Sequence, residues 1–182
     1  RAPDTVLIPC VGGAGMVAAH DAFREMFAAG VIDRMPRLVG VQLQACDPTA
    51  RAFHEGRDAV TPVDKKPSLS DAIMNNNPYW GRYCLQAVRE TGGTMISVSD
   101  ADFIRTIREL GREEGLFTEP AGSVSVAALR YLVKVPGFEN PGLTVCNLTG
   151  HGLNVPQVAT DESETPGVIP PTVEAVEAFL QS

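Results

Sequence analysis

The sequence predicts an α/β domain of three layers, αβα, built on a mostly parallel sheet. Short apolar runs alternate along the chain with longer amphipathic stretches, the order expected of strands joined by crossover helices. Each run is apolar or β-branched with little polar alternation, as in strands covered on both faces. The first run also passes through four small residues, Gly12-Gly13-Ala14-Gly15, straight into a helical pattern.

The predicted strands are Thr5–Pro9, Leu38–Leu43, Thr94–Val98 and Leu143–Leu148. The first helix, from about Met16 to Ala29, places Met16, Ala19, Phe23, Met26 and Phe27 on one face. A second runs from Trp80 to Glu90 and stops at Gly92-Gly93. A third starts at Ser99-Asp100, good N-cap residues, and turns Phe103, Ile104, Ile107 and Leu110 inward. A fourth begins at Pro120, a residue favoured in the first turn, and reaches about Leu132. Residues 56–67 lack periodicity and read as a surface loop. We divide the chain into a domain at 1–156, a proline-rich polar linker at 157–171 and a C-terminal helix at 172–182.

A chain of 182 residues is long enough to bury a core. Its formal charge of −7 argues against sequence-independent binding to nucleic acid phosphates. No apolar run approaches the ~18 residues of a membrane span, and no signal peptide is visible. Cys10, Cys46, Cys84 and Cys146 form no C-x-x-C pair. Cys10 and Cys146 sit in strand-like runs, so buried free thiols and a reducing, cytoplasmic compartment are expected. No H-x-x-x-H or Cys/His spacing suits zinc. Arg1-Ala2-Pro3-Asp4 leads at once into the first strand without an initiator Met, as though the chain were cut from something longer.

A strand, a turn of small residues and a helix N-terminus together suit an anion: backbone N–H groups converge and the helix dipole favours negative charge. Gly15-Met16-Val17 lacks the Gly-Lys-Ser/Thr of a nucleotide-hydrolysing loop. Gly13-Ala14-Gly15-Met16-Val17-Ala18 formally matches a dinucleotide fingerprint, but the next strand ends in Gln42 and Gln44 where an acid is wanted for the ribose. A third ligand is the phosphate of pyridoxal phosphate. A tight turn with no ligand also remains open.

Six segments then occur in one order. They are Pro9-Cys10-Val11-Gly12-Gly13-Ala14-Gly15, Arg34-Met35-Pro36-Arg37-Leu38-Val39-Gly40-Val41-Gln42, Ser70-Asp71-Ala72-Ile73, Asn77-Pro78-Tyr79-Trp80, Gly115-Leu116-Phe117-Thr118-Glu119-Pro120-Ala121-Gly122 and Leu148-Thr149-Gly150-His151-Gly152-Leu153. Together, over roughly residues 5–156, they resemble threonine synthase and its relatives, the fold-type II pyridoxal-phosphate enzymes. The resemblance implies the C-terminal half of such an enzyme, carrying most of its large domain. It implies that Gly12, Gly13, Ala14, Gly15 and Met16 hold the cofactor phosphate through backbone amides. Thr149 would sit beside the pyridine nitrogen, Gly150 and Gly152 would admit the ring, and Glu119 would lie near the cofactor. Glu119 before Pro120 also suits any helix N-terminus.

The family's Schiff-base lysine has no counterpart here, since Lys65, Lys66 and Lys134 lie elsewhere. The resemblance therefore implies an N-terminal half as partner, an amino-acid substrate and a homodimeric complete enzyme. The leading reaction is O-phosphohomoserine plus water to threonine and phosphate. Many threonine synthases carry Asn where this chain has Gly13 and Met16, which keeps a dehydratase or β-replacement enzyme in play. A dinucleotide-binding domain and a non-catalytic half-domain are the alternatives of other classes.

Overall fold

The computed structural model describes residues 1–160 and 168–181. Among them, four strands, β1 (Thr5–Pro9), β2 (Arg37–Leu43), β3 (Thr94–Val98) and β4 (Thr144–Cys146), form one parallel sheet in the order β3-β2-β1-β4. Helices α1 (Ala14–Ala28), α2 (Pro48–His54) and α3 (Gly81–Glu90) precede β3, and α4 (Asp100–Glu109) and α5 (Pro120–Leu132) follow it. A short α6 (Gln157–Thr160) occupies the start of the expected linker, and α7 (Val173–Leu180) is capped by Thr172. Residues 161–167 of that linker lie outside the described residues.

The alternating pleat sends side chains to two cores. Val6, Ile8, Leu38 and Met95 meet Met16, Ala50, Cys84, Ala87 and Val88 from α1, α2 and α3. Leu7, Val39, Val41, Ile96 and Val98 meet Phe103, Ile107, Val124, Ala128 and Leu132 from α4 and α5. Each fully buried Val, Leu, Ile, Met or Phe among them contributes about 1.5–3 kcal/mol. The layers are αβα, as the near-continuous apolar strands require.

Topology fixes where a ligand would bind. The chain steps from β1 to β2 to β3 in one direction, with its helices on the first face. It then returns across the second face through α4 and α5 to place β4 on the far side of β1. The strand order reverses between β1 and β4, and crevices at the C-terminal ends of strands at such a reversal are the usual ligand sites of open α/β sheets.

Two expectations need correction, and one helix is added. Met26 and Phe27 are 38% and 49% exposed, while His20 turns inward with its Nε2 3.2 Å from Glu90 Oε2. Periodicity marked the apolar residues but not which turns α3 covers or that Glu90 would partner a buried imidazole. The last strand is shorter than 143–148: Asn147 N–H still donates to Leu7 O (3.0 Å), and beyond it the chain leaves the ladder. Helix α2 was not foreseen, although Pro48 after Asp47 is a helix-start signal.

The helix starting at Ser99 is secured by a capping box with Asp102, whose carboxylate also accepts from Tyr131 on α5 and pairs with Arg105. Burial raises the Asp102 pKa, but the hydrogen bonds from Ser99 and Tyr131 and the Arg105 charge outweigh it, and the net direction is down. All four cysteines are free thiols. Cys146 is only partly buried, and desolvation pushes its thiol up to about 11.

Candidate functional site

The glycine turn leaves β1 under constraint from both sides. Cys10 N–H donates to Val41 O (2.7 Å), and Gln42 Nε2 donates to Cys10 O (3.1 Å). Trp80 N–H donates to Gly12 O (3.1 Å). Gly13 adopts φ 92°, in the left-handed region that favours glycine, and a Cβ there would meet Cys84 Cβ and the Trp80 backbone at 3.1 Å. Beneath it, Cys84 Sγ lies 3.4 Å from Cys10 Sγ, and that contact together with burial holds the Cys84 thiol well above its usual range. Such a protonated, buried thiol is a packing element rather than a nucleophile.

Helix α1 begins at Ala14 with no side-chain cap on its N-terminus and no acidic residue in its first turn. Val17 N–H is the first to bond back, to Gly13 O (3.1 Å). The amides of Ala14, Gly15 and Met16 precede that bond and so have no acceptor within the helix. Ala14 and Gly15 are exposed, and a Cβ on Gly15 would have no neighbour within 4 Å. Loop residue Asn75 lies alongside: its Nδ2 is 3.4 Å from the position of a Cβ on Gly12.

One strand over, the end of β4 is also pinned. Buried Ser125 on α5 donates to Asn147 O (3.0 Å), while Thr118 Oγ1 and Glu119 N–H both donate to Gly150 O (3.1 Å each). Thr149 is exposed between these anchors. Glu119, at the start of α5, lies directly against Gly150, where a Cβ would sit 2.1 Å from its Oε1, and it accepts from Asn154 Nδ2 (2.9 Å). Gly152 packs beneath the Phe117 ring, at 2.4 Å from the position of a Cβ. The side of Gly150 and Gly152 on which a Cβ would sit is thus filled by the protein's own Glu119 and Phe117. A hollow of about 390 Å³ opens here, lined among others by Leu116, Phe117, Thr118, Thr149, Gly150 and His151. His151 accepts from Leu153 N–H through Nδ1 (3.2 Å), which leaves the proton of the neutral ring on Nε2.

The structure therefore gathers the expected residues into two groups, Gly12–Met16 after β1 and Glu119 with Thr149–Gly150 after β4, on the same edge of the sheet. Neighbouring strands run about 4.8 Å apart. The glycine turn does not line the 390 Å³ hollow. Of the two positions where an acidic ribose ligand is wanted, Gln44 is an exposed amide, and Gln42 is 1% exposed with its Oε1 accepting from Thr49 N–H and Ala50 N–H at the start of α2. Gln42 is committed to packing and Gln44 carries no carboxylate, which counts against the dinucleotide alternative. Lys65, Lys66 and Lys134 are exposed; Lys65 lies 3.8 Å from Asp71 and Lys134 over the Tyr131 ring. Among the described residues no group of three or more His, Cys, Asp or Glu is placed to hold a metal ion, and no helix is long and apolar enough to cross a membrane.

Residues 1–150 match the family described as pyridoxal-phosphate dependent enzyme. The chain belongs to this family. It is 36% identical over 177 residues to threonine synthase of Methanosarcina acetivorans, covering 97% of this chain and 44% of that protein. To threonine synthase of Methanocaldococcus jannaschii it is 33% identical over 167 residues, covering 91% and 41%. The chain spans less than half the length of these relatives. Among solved structures, the processed form of threonine deaminase isoform 2 from Solanum lycopersicum superposes with a TM-score of 0.67 at 16% identity, over 89% of this chain and 44% of that one. Maize serine racemase gives 0.66 at 16% identity, over 87% and 47%. These two likenesses concern the fold, and they agree with the expected fold-type II large-domain architecture.

The cofactor of the family is pyridoxal phosphate, and the residues present fit it. The uncapped start of α1 offers amides to a phosphate, Gly15 leaves room for close approach, and no carboxylate in the first turn opposes it. Sequence reasoning missed Asn75 and Ser125, and it did not place Phe117 over Gly152. The run Asn75-Asn76-Asn77 before Pro78 signals a turn, but nothing local places it against Gly12.

Proposed function

We propose that this chain forms the cofactor-holding part of an enzyme that converts O-phosphohomoserine and water to threonine and phosphate. The observation that carries this reading is the pairing, at the strand-order reversal, of an uncapped glycine-rich helix start with an exposed Thr149 held just beyond the end of the neighbouring strand β4. Its likeness to archaeal threonine synthases supports the choice of reaction.

When bound, pyridoxal phosphate supplies an electron sink for charge developing beside the substrate amino group. The amides of Ala14, Gly15 and Met16 hold its phosphate. Thr149 offers a hydroxyl to the ring nitrogen; being neutral, it does not favour a protonated ring as a carboxylate would. Glu119, fixed by Asn154, keeps Gly150 and hence Thr149 in place. The lysine that carries the cofactor comes from a segment supplied by the N-terminal half of the complete enzyme, which we take to be cytoplasmic and homodimeric. A β-elimination or replacement on a serine- or threonine-like substrate is the second reading. Gly13 favours it, since a side chain there would press on Trp80 and the turn offers no side-chain amide of its own.

The test is Thr149→Val in the full-length protein, assayed for threonine and phosphate released from O-phosphohomoserine. Turnover should fall roughly tenfold or more, the loss of about one hydrogen bond to the reacting system, with a shifted cofactor absorbance and an unchanged circular dichroism spectrum. Unchanged turnover would remove Thr149 from the site. Ammonia released from serine or threonine instead would select the second reading.

A further inference from the structure

We propose that Asn75 is a binding residue that adds a side-chain donor to the glycine turn and holds a phosphate monoester there. The inference rests on the cofactor-holding role proposed above. The turn itself, Gly12-Gly13-Ala14-Gly15, carries no side-chain donor. It has no room for one at Gly13, where a Cβ would press on Trp80 and Cys84 at 3.1 Å. Any side-chain donor must come from another segment. Asn75 is half-buried and reaches in from the loop ahead of α3, with Nδ2 3.4 Å from the position of a Cβ on Gly12.

The orientation of that amide is fixed. Asn75 Oδ1 accepts from Asn77 N–H (3.0 Å), so the oxygen faces its own loop and the NH₂ group faces the turn. Among the described residues no protein acceptor takes the Nδ2 hydrogens. The loop is tied to the same place by Trp80 N–H, which donates to Gly12 O (3.1 Å). A dianionic phosphate at the amides of Ala14–Met16 would receive from Asn75 a charge-assisted hydrogen bond, stronger than a neutral one.

The decisive variant is Asn75→Asp in the full-length protein. It retains the oxygen that accepts from Asn77 N–H and replaces the donor by a negative charge. Affinities for pyridoxal 5'-phosphate and for pyridoxal, which lacks the phosphate, are measured by equilibrium dialysis. The thermal midpoint of each protein is recorded. Pyridoxal phosphate binding should weaken about tenfold or more with pyridoxal unchanged; that result assigns the donor to the cofactor phosphate. Unchanged pyridoxal phosphate affinity with weakened binding of inorganic phosphate to the cofactor-loaded protein assigns it to a substrate phosphate. Asn75→Ala should act in the same direction, less strongly. Equal losses for both pyridoxal compounds, or no change in any arm, overturn the proposal. A native protein that does not prefer pyridoxal phosphate over pyridoxal overturns the cofactor-holding role itself.

Discussion

The two glycine clusters of this chain read alike in sequence and differ in structure. Gly12–Gly15 ends β1 and Gly150–Gly152 follows β4, each at the C-terminal edge of the sheet. At Gly150 and Gly152 the space a Cβ would take is filled by Glu119 and Phe117, so a side chain there would break the protein's packing on itself. At Gly15 a Cβ would touch nothing within 4 Å, and the helix start beside it is uncapped. Gly13 belongs with the first pair in this respect, because its backbone angle and its contact with Trp80 are what seat the turn. A glycine cluster at a strand end is therefore not one signal. The neighbours decide whether it admits a ligand or another part of the chain.

Alanine substitutions can break or sharpen that contrast. The largest effect is expected at Gly13→Ala, which combines a left-handed φ with 3.1 Å contacts to Trp80 and Cys84. Unfolding stability in urea should fall by roughly 3 kcal/mol. Gly152→Ala should cost about 2 kcal/mol, because the Phe117 ring must move from a position 2.4 Å away. A loss below a few tenths there would mean that Phe117 repacks freely and the two clusters are alike. Gly15→Ala should change stability by less than about 1 kcal/mol, in the stabilising direction, since a helical alanine replaces glycine in open space. A fall in cofactor affinity in that variant, measured by dialysis, would then report hindered approach to the amides rather than unfolding.

Much of the architecture was legible because parallel sheets impose a pattern on local sequence. Thr94–Val98 and Thr5–Pro9 emerged at their predicted bounds, and Pro120 and Ser99 marked helix starts through chemistry that acts within a single turn. The glycine turn was legible for the same reason, as a strand, small residues and a helix in immediate succession. The burial of His20 was not legible, because its partner Glu90 is 70 residues away and a lone histidine gives no sign of one. Nor was the structural role of Gln42, which depends on Cys10 O and the start of α2 arriving together in space.

The sequence by itself determined the α/β class, the presence of the four strands and most of the helices, and the two groups of residues that resemble a pyridoxal-phosphate site, because periodicity, capping and turn chemistry are properties of neighbours along the chain. Only the tertiary structure decided that β4 returns beside β1, placing Thr149 on the same edge as the glycine turn. It alone decided that Glu119 fills the space over Gly150 while Asn75 reaches Gly12. Those outcomes turn on side chains from distant segments competing for the same few ångströms, and spacing along the chain carries no record of that competition.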